Sequence, residues 1–67
     1  MNVTFKYEIG QLVFYNGHLY EVLARMYFET KVVKINKYNL RNVDGWDINR
    51  FVPDVWENNI KTLRRVK

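Results

Sequence analysis

Cysteine is absent from this 67-residue chain, and histidine occurs once, as His18. Disulfide staples and thiolate metal sites are therefore excluded, and a histidine-based metal centre has too few ligands. Serine is missing as well, so Thr4, Thr30 and Thr62 are the only short hydroxyls. Only three glycines occur, far apart, which leaves no glycine-rich loop to cradle a phosphate. Apolar runs are short. Leu12-Val13-Phe14-Tyr15 falls far below the roughly 20 residues that cross a bilayer. The first residues, Met1 to Lys6, lack a charged region followed by an apolar stretch. These absences predict a cytoplasmic protein with no cofactor, no metal and no membrane partner.

What is present is apolar and aromatic. Hydrophobic residues make up 48% of the chain and aromatic residues 16%, too apolar for a disordered segment. The length predicts one domain, residues 1–67, whose core must do without covalent help. The net charge of +4 is unevenly placed. Lys61, Arg64, Arg65 and Lys67 form a basic end over 61–67, and the remaining basic residues balance the seven acids of 1–60. Residues 25–43 are basic, with Arg25, Lys31, Lys34, Lys37 and Arg41 against Glu29. Residues 44–60 are acidic, with Asp44, Asp47, Asp54 and Glu57 against Arg50.

Two dipeptides, Asn16-Gly17 and Asp44-Gly45, lie between strand-like aromatic segments. A two-residue type I′ hairpin turn needs φ > 0 at both central positions, which Asn, Asp and Gly tolerate. The first predicts a hairpin over Gln11–Ala24, with Tyr15 facing His18, Phe14 facing Leu19, Val13 facing Tyr20 and Leu12 facing Glu21. Neither face of that hairpin is polar: Val13, Tyr15, His18, Tyr20 and Val22 share one, and Leu12, Phe14, Leu19 and Leu23 the other. One face must be covered by the rest of the chain or by a partner. Val3–Tyr7 alternates as a strand or extended arm, and 25–30 reads as a connection or strand end. Lys31–Val43 reads as a strand whose apolar phase slips, reconciled by a bulge near Asn36-Lys37 that turns Lys34, Lys37, Asn39 and Arg41 outward together. The strand after Asp44-Gly45 is expected to stop at Pro53, which cannot donate to a ladder. A helical turn over Pro53–Asn59 and a last strand over Ile60–Val66 complete the order.

Strand, hairpin, hairpin, one helical turn, strand is the layout of a small SH3-like barrel. The segment Ile9-Gly10-Gln11-Leu12-Val13-Phe14-Tyr15-Asn16-Gly17-His18-Leu19-Tyr20-Glu21-Val22 resembles the opening hairpin of small SH3-like proteins of bacteria and their phages, and Phe51-Val52-Pro53 with Ile60–Leu63 is similar to their end. The resemblance implies an all-β, five-stranded SH3-like barrel with one short helical turn before the last strand. It also implies a habit of binding proteins or nucleic acids, and it lends no catalytic residue.

Within that frame the aromatics are numerous for so small a core. Tyr20, Tyr38, Phe51 and one tryptophan are expected to fill it. Tyr15, His18, Tyr27, Phe28 and Trp46 are left as a protein-binding set, because exposed Tyr and Trp are enriched at interface hot spots. The reading is a non-enzymatic protein-binding module, a small adaptor or phage-type inhibitor acting on a larger bacterial protein. The alternative is a nucleic-acid-binding barrel, with Lys31, Lys34, Lys37, Arg41, Arg64 and Arg65 on phosphates and Tyr38 stacking on bases. A homodimer that covers the spare apolar face is compatible with both.

Overall fold

A computed structural model describes residues 4–46 and 50–62. It is all-β, with strands β1 (Leu12–Tyr15), β2 (His18–Glu29), β3 (Lys34–Asn42), β4 (Phe51–Trp56) and β5 (Ile60–Thr62), and a 3-10 turn at Glu57–Asn59. All pairings are antiparallel, in one sheet of order β4-β3-β2-β1-β5. The sheet is open: β4 and β5 are its edges, so the closed barrel expected from sequence is not what the described residues form.

The first hairpin follows its turn chemistry. Asn16 and Gly17 take φ of 55° and 79°, as the tight turn requires, and the four β1–β2 pairs are those the two-residue loop dictates. Beyond it β2 continues unbroken through Arg25 to Glu29, where sequence suggested a connection. The irregularity also lies elsewhere. The β2–β3 register shifts at Leu23, so the bulge is on β2 and not at Asn36-Lys37. β3 alternates without interruption. The residues Asn36, Tyr38, Leu40 and Asn42 turn inward, while Ile35, Lys37, Asn39 and Arg41 turn outward. Lys34 belongs to the inward phase, so it does not share a face with Lys37 and Arg41.

The strand expected to end at Pro53 runs through it, because a second bulge accommodates the residue that cannot donate. Asp54 there takes φ of 57°, and its N–H donates to Asn39 Oδ1 at 3.2 Å. The helical turn is consequently shorter than expected, Glu57–Asn59 alone. The final strand is described only to Thr62. Val3, at the start of the expected arm, and the end of the expected last strand lie outside the described residues.

Tyr7, Val13, Tyr20, Val22, Tyr38, Leu40, Val55 and Ile60 form the core. Tyr20 and Tyr38 were expected there. Phe51 and the two tryptophans are instead exposed, because the ladder puts Phe51 opposite Arg41 and Trp56 opposite Lys37 on the outer face, and Trp46 lies in the loop after β3. Their place is taken by Tyr7, which reaches the core from a non-strand arm. Tyr7 meets Tyr38 edge-on, with ring centroids 5.5 Å apart. Its N–H donates to the Tyr38 hydroxyl at 3.2 Å and its own hydroxyl donates to the Ile60 carbonyl at 2.9 Å.

A carboxylate ties this arm to the 3-10 turn. Glu57 accepts hydrogen bonds from the Tyr38 hydroxyl, from the Lys6 backbone N–H at 2.9 Å and from the Asn36 amide at 3.2 Å. Partial burial by itself would raise the Glu57 pKa, but the Tyr38, Lys6 and Asn36 donors outweigh it and hold the carboxyl below its ordinary value. Burial, reinforced by the bond to Glu57, pushes the Tyr38 phenol from 10.0 up to about 12.

Candidate protein-binding site

The loop joining β3 to β4 contains Asp44-Gly45, but the pair does not make a two-residue hairpin, since β4 starts only at Phe51. The physical reason is the Asp44 side chain. Its Oδ1 accepts from the Trp46 N–H, two residues on, at 3.1 Å, the local bond by which Asp competes with ladder formation. The same oxygen accepts from the Asn42 amide at 2.9 Å, while Oδ2 accepts from the Leu19 N–H at 3.0 Å. Asn42 is fully buried and also donates to the Leu19 carbonyl at 3.2 Å. Together these bonds strap the loop to the start of β2. The Leu19 N–H and the Asn42 amide, then the Trp46 N–H and His18, favour the ionised carboxylate and bring the Asp44 pKa from 3.8 down to about 2, outweighing the opposing effect of desolvation.

His18 completes the assembly. Its Nδ1 lies 3.3 Å from Asp44 Oδ2, and its ring stacks on Trp46 with centroids 4.1 Å apart and planes 14° from parallel. Trp46 is 57% exposed even so. Tyr15 stands opposite His18 in the ladder and is half-buried, edge-on to Tyr20 at 5.6 Å. Tyr15, His18 and Trp46 therefore form one end of the molecule, with a large aromatic surface whose orientation is set before any partner arrives.

Neither a family model, nor a curated protein, nor a solved structure matches this chain. The residues themselves carry the functional argument.

The five residues expected to form one protein-binding set fall into two groups. Tyr27 and Phe28 are on β2, nine and ten positions from His18, about 30 Å away at the rise of a strand. Phe28 is exposed on the outer face, where Lys37 Nζ sits 4.9 Å from its ring centroid. Tyr27 is half-buried and donates its hydroxyl to Glu29 at 3.1 Å. It borders an open cleft of about 430 Å³ shared with Val33, Trp56 and Glu57.

The basic set is more dispersed. Lys31 lies in the β2–β3 loop, Lys34 is on the inward phase of β3, and Arg41 is engaged by Glu21 across the outer face. Tyr38, expected to stack on bases, is fully buried against Tyr7 and Phe5 and has no face to offer. Arg64 and Arg65 lie outside the described residues.

Asp44 was read from sequence as a turn residue only. The signal that it does more was its position two residues before an otherwise unsupported tryptophan. Among the described residues no three His, Asp or Glu side chains gather as a metal site, and no helix is long and apolar enough to cross a membrane.

Proposed function

We propose that this chain is a non-enzymatic protein-binding module of the SH3-like kind, a small adaptor or phage-type inhibitor that engages a larger protein through Trp46, His18 and Tyr15. The observation that carries this reading is Trp46. It is mostly exposed yet clamped on two sides, by the His18 ring and by the Asp44 bond to its backbone N–H. An exposed indole held rigid contributes contact area without losing side-chain freedom on binding, which is the property of interface anchors. The order of the strands, with a 3-10 turn before the last, supports the SH3-like kinship. The His18–Asp44 pair alone supplies no nucleophile, so binding is favoured over catalysis.

The test is capture from bacterial lysate on immobilised wild-type chain and on Trp46→Ala. A reproducible partner should appear with the wild type and weaken about 30-fold with the variant, the loss typical of a hot-spot anchor, while the circular dichroism spectrum stays unchanged. No reproducible partner, or equal capture by the variant, refutes the reading. If short DNA or RNA binds instead, with affinity falling by orders of magnitude between about 50 and 200 mM salt, the chain is the nucleic-acid binder of the alternative reading.

A further inference from the structure

An edge strand presents unpaired N–H and C=O groups to any passing chain, and folds guard such edges with Lys, Pro, bulges or shortness. The two outer edges of this sheet are guarded in those ways. β5 is three residues long and carries Lys61. β4 carries Pro53 and the bulge at Asp54. Among the described residues a third edge lacks these guards. β1 pairs with β2 only over His18–Glu21, and the backbones of Gly10 and Gln11 extend the bonding to Val22. From the bulge at Leu23 onward, β2 is bonded to β3 on one side, and among the described residues no strand covers its other side. This stretch, Ala24-Arg25-Met26-Tyr27-Phe28-Glu29, contains no Lys, Pro or Gly.

Its sequence is complementary to itself. Two copies laid antiparallel about Tyr27 put Arg25 opposite Glu29, Met26 opposite Phe28 and Tyr27 opposite Tyr27. Directly opposed residues share a face, so the face assignments of the ladder decide whether these pairs can meet. They agree: Arg25 lies opposite Tyr38 on the inward phase with Tyr27 and Glu29, whereas Met26 and Phe28 lie opposite Lys37 and Ile35 on the outer phase. The ion pairs would thus form on one side of the joined sheet and the apolar pairs on the other. Arg25 and Glu29 are both exposed and Phe28 is 47% exposed; the Arg25 guanidinium also lies 4.8 Å from the Phe5 ring centroid and donates to the Tyr7 carbonyl at 3.5 Å, contacts it would share with or exchange for Glu29 of the second copy. An isologous two-fold contact repeats each off-axis pair twice, doubling its effect.

We propose that this chain self-associates through the open edge of β2, residues 25–29 of two copies pairing antiparallel about Tyr27 to make one continuous sheet. The contact is separate from the Trp46 end and does not rest on it.

Sedimentation equilibrium over a wide concentration range, with charge reversals at the two ends of the pairing, tests this. The wild type should pass from monomer to dimer. Arg25→Glu sets acid against acid twice, and Glu29→Arg sets base against base twice, so each alone should weaken self-association about tenfold or more. An equimolar mixture of the two variants should recover the dimer, because every opposed pair is then of opposite sign. The mixture also controls for folding, since a variant that merely failed to fold would not be rescued by the other. Trp46→Ala should dimerise as the wild type does. A wild type that stays monomeric at every concentration, or single reversals that dimerise as tightly as the wild type, would overturn the proposal.

Discussion

Replacing Tyr38 by phenylalanine removes a single oxygen atom from the core, yet that atom is the hub of the contact between the N-terminal arm and the 3-10 turn. It accepts from the Tyr7 N–H and donates to Glu57. Without it the buried Tyr7 N–H has no acceptor, which costs about 1–3 kcal/mol, and a bond to a charged group is lost, usually worth about 1.5–3 kcal/mol. Glu57 is half-buried and keeps the Lys6 and Asn36 donors, so the second contribution is discounted and the sum set at about 2–4 kcal/mol. At about 0.05–0.15 kcal/mol per residue, a 67-residue chain has roughly 3–10 kcal/mol in total. Tyr38→Phe should therefore lower the midpoint of thermal unfolding by about 10–25 °C. In urea, followed by tryptophan fluorescence, the midpoint should fall with an unchanged slope.

Glu57→Gln and the double variant close a cycle. If the three donors and the carboxylate act as a unit, the double variant loses less than the two singles combined. The pH response has a definite sign. Glu57 has a depressed pKa in the fold, so its contribution is present above the ordinary carboxylate range and is lost as pH falls. Tyr38 has a raised one, so its contribution is complete below pH 10.0 and declines as pH rises toward about 12. A Tyr38→Phe loss below about 1 kcal/mol, or one that leaves the alkaline limb untouched, refutes the assignment of the hub.

Asp44 titrates from 3.8 in the unfolded chain to about 2 in the fold, so the loop's anchorage should weaken as pH falls from about 4 to about 2, seen as a change in Trp46 fluorescence that Asp44→Asn abolishes. At the first hairpin turn, Gly17→Ala forces a side chain to φ of 79° and should cost about 1–2 kcal/mol in urea titration, with no new contact made, since the space around a Cβ there is empty.

Local chemistry was legible where it acts alone. Asn16-Gly17 gave the first hairpin to the residue, because a two-residue loop leaves no freedom of register. Asp44-Gly45 has the same look but failed as a hairpin, since the Asp44 carboxylate found donors on Leu19 and Asn42, which are remote or outside the turn. The phase slip in the β3 sequence points to a bulge on β3, but the extra residue is Leu23 on β2: a bulge changes the partner's pairing as much as its own, and only the ladder shows which strand carries it. Pro53 read as a terminator because its missing N–H is a local fact, whereas the bulge that excuses it is not. Of the binding residues, His18 and Trp46 were chosen separately, and their stacking depends on a loop geometry no pattern encodes. Tyr27 and Phe28 were chosen for the same aromatic character, yet β2 carries them to the far end of the molecule. The alternation of the arm does not tell that Tyr7 is core, because its burial comes from contacts with Tyr38 and Ile60, 31 and 53 positions away.

The contacts of that arm also set the order in which a chain made from its N-terminus can become native. The Lys6–Glu57 and Tyr7–Ile60 bonds join residues 51 and 53 positions apart. The β1–β2 hairpin can close as soon as its own residues exist, but Tyr7 has no acceptor for its hydroxyl until Ile60 has been added. Until Ile60 has been added the nascent chain therefore carries an early hairpin whose inner aromatic face this contact does not yet cover, a period in which exposure favours association with other chains. The core closes only when β5 and the arm meet.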